Sequence, residues 1–111
     1  MQEATIARLT AINNVLVEYG LEMPSPPLKV FLEVAEKPGI THRDIVERTG
    51  IPGASVSRYV SILSNGMTWG GAGALDLVEA APDPNNRRSQ LVKPTEKGQA
   101  LMKRLGEILE A

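Results

Sequence analysis

Proline and glycine residues divide this chain into short stretches, and that division constrains the possible fold more than any other feature of the sequence. The 111 residues include 10 glycines and 8 prolines. Proline removes a backbone donor, and glycine favours the left-handed conformation at which helices end. We therefore expect several short elements around one core, because 111 residues is the usual size of a single domain.

Five of these stretches carry apolar residues every three or four positions, which predicts five helices. The predicted helices cover residues 3–19, 27–37, 42–49, 55–63 and 95–111. The apolar stripes consist of Ile6, Leu9, Ile12, Leu16 and Tyr19 in the first helix, of Leu28, Phe31, Leu32 and Ala35 in the second, and of Leu101, Leu105, Ile108 and Leu109 in the last. The stripes of the two terminal helices suit either an intramolecular core or a dimer interface.

The third helix has the clearest ends. Thr41 stands in the N-cap position with Asp44 three residues later, a pair similar to a capping box. Gly50 follows the last helical residue and suits a left-handed C-cap. The sequence therefore predicts a helix from His42 to Thr49.

Two short strands are predicted after the fourth helix, in LDLVEAA and SQLVK. Between them lies PDPNNRR, whose proline, aspartate and asparagine residues favour a turn. The pattern predicts a β-hairpin whose tip carries Arg87 and Arg88. The preceding segment MTWGGAGAL contains the only tryptophan, Trp69, and its glycines predict an exposed loop.

The outer face of the fourth helix is unusual. The inner face consists of Val56, Tyr59, Val60 and Leu63, which follow helical spacing. The outer face consists of Ser55, Ser57, Arg58 and Ser61. An ordinary solvated helix carries more glutamate and lysine there. Serines on a helix surface are most often only solvated. This face therefore indicates DNA contact only in combination with the hairpin that follows.

Two helices joined by a glycine-containing turn and followed by a hairpin have the order of a winged helix-turn-helix, a mainly α fold with a small β-hairpin wing. In such a fold the fourth helix would lie in the major groove of DNA, where Arg58 can bond a guanine or a phosphate. The wing arginines would enter the flanking minor groove. We therefore predict a sequence-specific double-stranded DNA-binding protein. The predicted contacts are Thr41, His42, Arg43, Ala54, Ser55, Ser57, Arg58, Ser61, Arg87 and Arg88.

The residues DIVERTGIPGASVSRYVSIL and GALDLVEAAPDPNNRRSQLVKPTEKGQALM resemble the MarR-type winged-helix transcriptional regulators. The resemblance covers residues 28–101, and its most specific part is the wing, of the form Asp-Pro-x-x-x-Arg. It implies that Asp83 belongs to the wing tip with the two arginines, and that the first and last helices form a homodimer. The chain stops one helix beyond the wing, which puts both the dimer and a small-molecule effector in doubt.

We accordingly expect one domain over residues 1–111, with a first helix up to residue 20, a helix-turn-helix core and wing over 27–94, and a last helix from residue 95. Composition argues against other classes. The chain has no cysteine and a single histidine, and it lacks a phosphate-binding loop of the GxxxxGK type. We therefore expect neither an enzyme nor a metal or other cofactor.

The sequence also bears on location and charge. No apolar run approaches the roughly 20 residues of a membrane span, and the first residues do not look like an export signal, so we expect a soluble, cytoplasmic protein without a membrane partner. The net charge is −1, so any basic footprint must be local. This charge keeps a second interpretation open, in which the winged helix binds another protein through Trp69 and the glycine-rich segment.

Overall fold

Five helices and three strands form the observed structure, a computed structural model that describes residues 2–23, 25–64 and 75–110. In chain order they are α1 (Gln2–Glu18), α2 (Pro26–Glu36), β1 (Ile40–Thr41), α3 (His42–Thr49), α4 (Gly53–Leu63), β2 (Val78–Asp83), β3 (Asn86–Pro94) and α5 (Glu96–Glu110). The predicted winged helix-turn-helix fold is confirmed. Trp69 and the glycine-rich segment around it lie outside the described residues.

The terminal helices α1 and α5 pack against each other. Arg104 Nη1 of α5 lies 2.6 Å from Glu18 Oε2 of α1, and Leu16 and Leu101 are buried in the common core. Three other residues of the predicted stripes are exposed instead, namely Ile6 (63%), Leu9 (50%) and Leu109 (60%). Only part of each stripe therefore serves the core of this chain. No helix among the described residues is long and apolar enough to cross a membrane.

The buried face of α2 differs from the prediction. Phe31 and Leu28 are buried as expected, but Leu32 is 43% exposed, while Val30 and Val34 are fully buried. The apolar residues of α2 surround most of its circumference, because the helix packs against α3, α4, α5 and β3. Periodicity alone therefore could not identify the one apolar side chain that faces away from these neighbours.

The ends of α3 follow the prediction. Thr41 Oγ1 accepts a hydrogen bond from the backbone N–H of Asp44 at 3.1 Å, and Gly50 has a φ of 74° in the left-handed region. The carboxylate of Asp44 lies 3.9 Å from Lys37 Nζ. The helix thus begins and ends where its local sequence directs, and the turn at Gly50 leads directly into α4.

The sheet contains a strand, β1, that the sequence did not predict. β1 pairs antiparallel with β3, with Ile40 opposite Val92 and Thr41 opposite Leu91, so the strand order is β1-β3-β2. A two-residue strand has too little sequence for alternation to be visible. Because Thr41 is both the end of β1 and the N-cap of α3, this pairing joins the start of α3 to the wing.

The hairpin has a different tip from the predicted one. Asp83 pairs with Asn86, whereas Pro82 pairs with Gln90, so residues 87–89 form an irregularity at the start of β3. Asp83 Oδ1 accepts a hydrogen bond from the N–H of Asn85 at 2.8 Å, as expected for a turn former. The turn itself is therefore at residues 84–85, and the backbone of Arg87 and Arg88 belongs to the bulged start of β3.

The start of α5 lies unusually close to the chain before β2. Thr95 Oγ1 accepts from the N–H of Gly98 at 3.1 Å and donates to the carbonyl of Asp76 at 2.5 Å. A Cβ added at Gly98 would overlap the backbone carbonyl oxygen of Leu77 and lie 3.3 Å from Cε1 of Phe31. Only glycine allows this approach.

We expect Gly98→Ala to lower the free energy of unfolding by about 1–2 kcal/mol, because the cost of overpacking exceeds the roughly 1 kcal/mol that alanine gains in a helix. Gly106→Ala in the same helix is the matched control. A Cβ there meets nothing within 4 Å, so this variant should gain about 0.5–1 kcal/mol. Chemical denaturation followed by circular dichroism measures both, and a gain in Gly98→Ala would contradict the close approach.

Candidate nucleic-acid interface

Helix α4 presents a polar outer face above a buried inner face. Val56, Val60 and Leu63 are buried, and Tyr59 packs against the core from its edge. Of the predicted contact residues in α4, Ala54, Ser57 and Arg58 are exposed, and Ser55 and Ser61 are half-buried. The short side chains on this face leave the helix backbone accessible, which is what a helix in the major groove requires.

The N-terminus of α4 adds backbone donors to this face. Pro52 occupies the N-cap position and makes no side-chain capping hydrogen bond. The first amides of a helix have no partner within the helix. Such amides favour anions, including phosphates. The exposed start of α4, with Gly53 and Ala54, is therefore suited to approach a DNA backbone.

A cleft of about 580 Å³ separates the helix-turn-helix from the wing. Its walls are formed by His42 and Arg43 of α3, Ser57 of α4, Pro82 of β2, and Asn86, Ser89 and Gln90 of β3. Three of the predicted contact residues thus come together here. The polar wing residues of β3 were not predicted, although their position beside Arg87 and Arg88 in the sequence is a signal that could have identified them.

The two α3 residues in this cleft differ in their surroundings. Nε2 of His42 is buried and has no hydrogen-bond partner among the described residues. Burial lowers the pKa of His42, because the charged imidazolium loses solvation. The side chain of Arg43 is 87% exposed, and its Nε lies 3.5 Å from Glu47 Oε1 one helical turn away. An ion pair this exposed is weak, so Arg43 is available to another anion.

Arg58 lies apart from this cleft. It lines a smaller cavity of about 340 Å³ formed by α4, the connection between α1 and α2, and Leu75. Its guanidinium carbon is 5.7 Å from the centre of the Tyr59 ring. The structure therefore divides the predicted contacts into a group beside the wing and one arginine farther round α4.

Two other basic residues of the helical core are engaged in structural contacts. Arg48 lies 2.6 Å from Glu33 and 3.1 Å from Glu36, which ties α3 to α2. Lys29 Nζ donates to the carbonyl of Thr49 at 3.3 Å. The hydroxyl of Thr41 is likewise occupied, since it caps α3. The contacts of Arg48 and Lys29 hold α3 against α2, and the hydroxyl of Thr41 fixes the start of α3.

No group of three or more histidine, aspartate or glutamate side chains in the described parts of the chain is arranged to hold a metal ion.

Comparison with known proteins agrees with this geometry. Residues 28–65 match the family model described as winged helix-turn-helix DNA-binding. No curated protein sequence matches the chain. Solved structures do match, among them a MarR transcriptional regulator from Methanosarcina mazei Go1, with a TM-score of 0.69 and 19% identity over 98% of this chain and 70% of that one.

Two further solved structures carry ligands. A mutant of MepR from S. aureus bound to an oligodeoxyribonucleotide has a TM-score of 0.69 and 15% identity, over 98% of this chain and 72% of that one. CouR from Rhodococcus jostii RHA1 bound to p-coumaroyl-CoA has a TM-score of 0.64 and 23% identity, over 98% and 69%. The chain therefore has the winged-helix fold of the MarR-type regulators, and its residues 28–65 match the winged helix-turn-helix DNA-binding family.

Proposed function

We propose that this protein is a sequence-specific double-stranded DNA-binding transcriptional regulator, with α4 in the major groove and the wing in the adjacent minor groove. The observation that carries the proposal is the position of the exposed, small-residue face of α4 beside a polar cleft that leads to the wing. A helix of about 10–12 Å diameter fits the major groove, which is about 12 Å wide. MepR, which has the same fold, is described bound to DNA.

The predicted contacts take different roles in this arrangement. Arg58 reads a base edge, because it is exposed on α4 and its guanidinium lies over the neighbouring Tyr59 ring without an ion pair among the described residues. His42, Arg43 and Ser57 bind backbone phosphates from the cleft, where the wing and the helices meet. Along α4, the small side chains of Ala54, Ser55 and Ser61 permit or make close contacts with DNA. Thr41 contributes by capping α3. Arg87 and Arg88 supply positive charge to the minor groove.

We also propose that the protein acts as a homodimer through its terminal helices. The exposed apolar side chains Ile6 and Leu9 of α1 and Leu109 of α5 support this, because large apolar side chains beside an existing helix pair favour burial against a partner. A dimer would place two α4 helices on two half-sites of a palindromic DNA sequence.

The proposed role bears on small-molecule binding and on location. CouR is described bound to p-coumaroyl-CoA. A protein of this fold can therefore bind a small molecule, which argues for an effector and against the doubt raised by the sequence. The proposed role needs neither catalysis nor a cofactor, and it places the protein with DNA in the cytoplasm.

The test is selection of bound sequences from a random duplex library over several rounds. We expect enrichment of a two-fold-symmetric site, since a dimer reads two equivalent half-sites. The spacing of the half-sites would then measure the distance between the two α4 helices. Enrichment of one asymmetric motif would support DNA binding and contradict the symmetric dimer.

A charge-based control accompanies the selection. The protein should bind heparin at about 50 mM salt and elute as salt rises, because phosphate-type contacts release counterions. Absence of both enrichment and salt-sensitive retention would overturn the proposed function. The protein-binding interpretation would then be favoured, and Trp69 would be the next residue to substitute.

A further inference from the structure

We infer that DNA binding by this protein takes up a proton at His42, so that its affinity for DNA increases as the pH falls. The inference rests on the proposed function, and it adds a regulatory property to the interface. The group concerned is the cleft between the helix-turn-helix and the wing, where His42 lies with Arg43 and Ser57 against β2 and β3.

The position of His42 in the free protein disfavours its charged form. It is the first residue of α3, and its Nε2 is buried without a hydrogen-bond partner among the described residues. A proton on this nitrogen has no acceptor there, and burial removes the water that would solvate the charge. Both effects favour neutral imidazole, in agreement with the lowered pKa of His42.

No acidic side chain among the described residues lines the cleft, so none there would stabilise the charged form of His42. Arg43 of α3 is the other ionisable group among the described side chains lining the cleft. Ser57 of α4, Pro82 of β2, and the serine, asparagine and glutamine side chains of β3 are uncharged. The nearest acids of α3 have other partners, since Asp44 faces Lys37 at 3.9 Å and Glu47 faces Arg43 at 3.5 Å.

A DNA phosphate is the group that would reverse this balance. A phosphate that occupies the cleft brings a negative charge close to the ring, and this charge favours the imidazolium. The pKa of His42 is then higher in the complex than in the free protein. The mouth of the cleft is bordered by the wing and by the outer face of α4, the two surfaces proposed to contact DNA.

The direction of the pH effect follows from linkage. When the pKa is higher in the complex, the gain in affinity is complete below the pKa of the free protein and is lost as the pH rises through the pKa of the complex. A rise of one pKa unit corresponds to about a tenfold gain in affinity. The chain has one histidine and no cysteine, so His42 is the one side chain whose ordinary pKa lies between pH 5 and 8.

The experiment compares the parent protein with His42→Gln on a duplex obtained by selection. Affinity is measured by fluorescence anisotropy from pH 5.5 to 8.5 at constant ionic strength. We expect the parent to bind about tenfold more tightly at the acid end, and His42→Gln to show a flat profile. Arg43→Gln is the matched control, which should weaken binding at every pH and retain the slope.

A second measurement does not depend on any variant folding. Because there is one histidine, its ring-proton resonance needs no assignment, and its titration gives the pKa in the free protein and in the complex. We expect the pKa to rise on DNA binding. An unchanged pKa, or an equal pH slope in the parent and in folded His42→Gln, would overturn this inference while DNA binding stands. Failure of the parent to bind DNA at any pH would instead overturn the proposed function.

Discussion

Replacement of Phe31 by alanine is expected to lower the free energy of unfolding by about 3–5 kcal/mol. Phe31 is fully buried in the middle of α2, where the helix packs against α4, α5 and β3. Removal of the ring loses its hydrophobic burial and leaves a cavity that close-packed neighbours cannot fill. Since a domain is typically stable by about 5–15 kcal/mol, the variant should be near its unfolding transition at ambient temperature. Urea denaturation followed by circular dichroism measures the loss.

Leu32→Ala is the matched control for this prediction. Leu32 is adjacent in the same helix and belongs to the same apolar stripe of the sequence, yet it is 43% exposed. Its removal should change the free energy of unfolding by about 0.5 kcal/mol or less, as for other surface positions. Comparable losses in the two variants would contradict the orientation of α2, in which Phe31 is buried and Leu32 faces outward.

Substitution of the arginines of the proposed interface should separate base reading from charge. We expect Arg58→Ala to reduce discrimination between the selected site and single-base variants by about 1–3 kcal/mol, because a bidentate arginine-guanine contact carries that much specificity. Combined replacement of Arg87 and Arg88 by alanine should weaken binding to all sequences alike. The slope of log affinity against log salt should fall by about 2, because each phosphate contact contributes about one unit.

The measurement is a set of binding curves for both variants on the selected duplex and its single-base variants at several salt concentrations. Arg48→Gln serves as a control that removes one positive charge, as Arg58→Ala does, because Arg48 is held by Glu33 and Glu36 and faces no proposed DNA contact. It should leave the salt slope of the folded protein unchanged. If the Arg58 and wing variants bound all duplexes as the parent does, the placement of α4 and the wing on DNA would be wrong.

Features determined by neighbouring residues could be predicted from the sequence. The limits of α3 depend on the hydroxyl of Thr41, three residues from the amide that it caps, and on the freedom of Gly50 to adopt a φ of 74°. The inner face of α4 follows from helical spacing alone, since only one of its faces is apolar. The hairpin follows from its turn residues. These interactions span a few residues and do not require knowledge of the rest of the chain.

The exposure of the proposed contact residues on α4 could be predicted for the same reason. Ala54, Ser57 and Arg58 are exposed, as the spacing requires. Spacing cannot show, however, which of them approach the wing. Ser57 lines the cleft with His42, whereas Arg58 faces the connection between α1 and α2. That division depends on the packing of β3 against α3 and on the position of the wing across the cleft from α4, which involve residues distant in the sequence.

The sequence by itself determined the order of the five helices and the hairpin, the caps of α3 and the polar face of α4, because each is a balance of local hydrogen bonds and helical periodicity. Only the tertiary structure decided that Leu32 faces outward while Val30 and Val34 are buried, that β1 pairs with β3, and that His42 lies in a cleft without a partner for Nε2. The physical reason is that burial and strand pairing are properties of contacts between distant segments. Their free energy depends on which surfaces meet. Because apolar residues surround most of α2, the elements packed against this helix decide which of its side chains are buried.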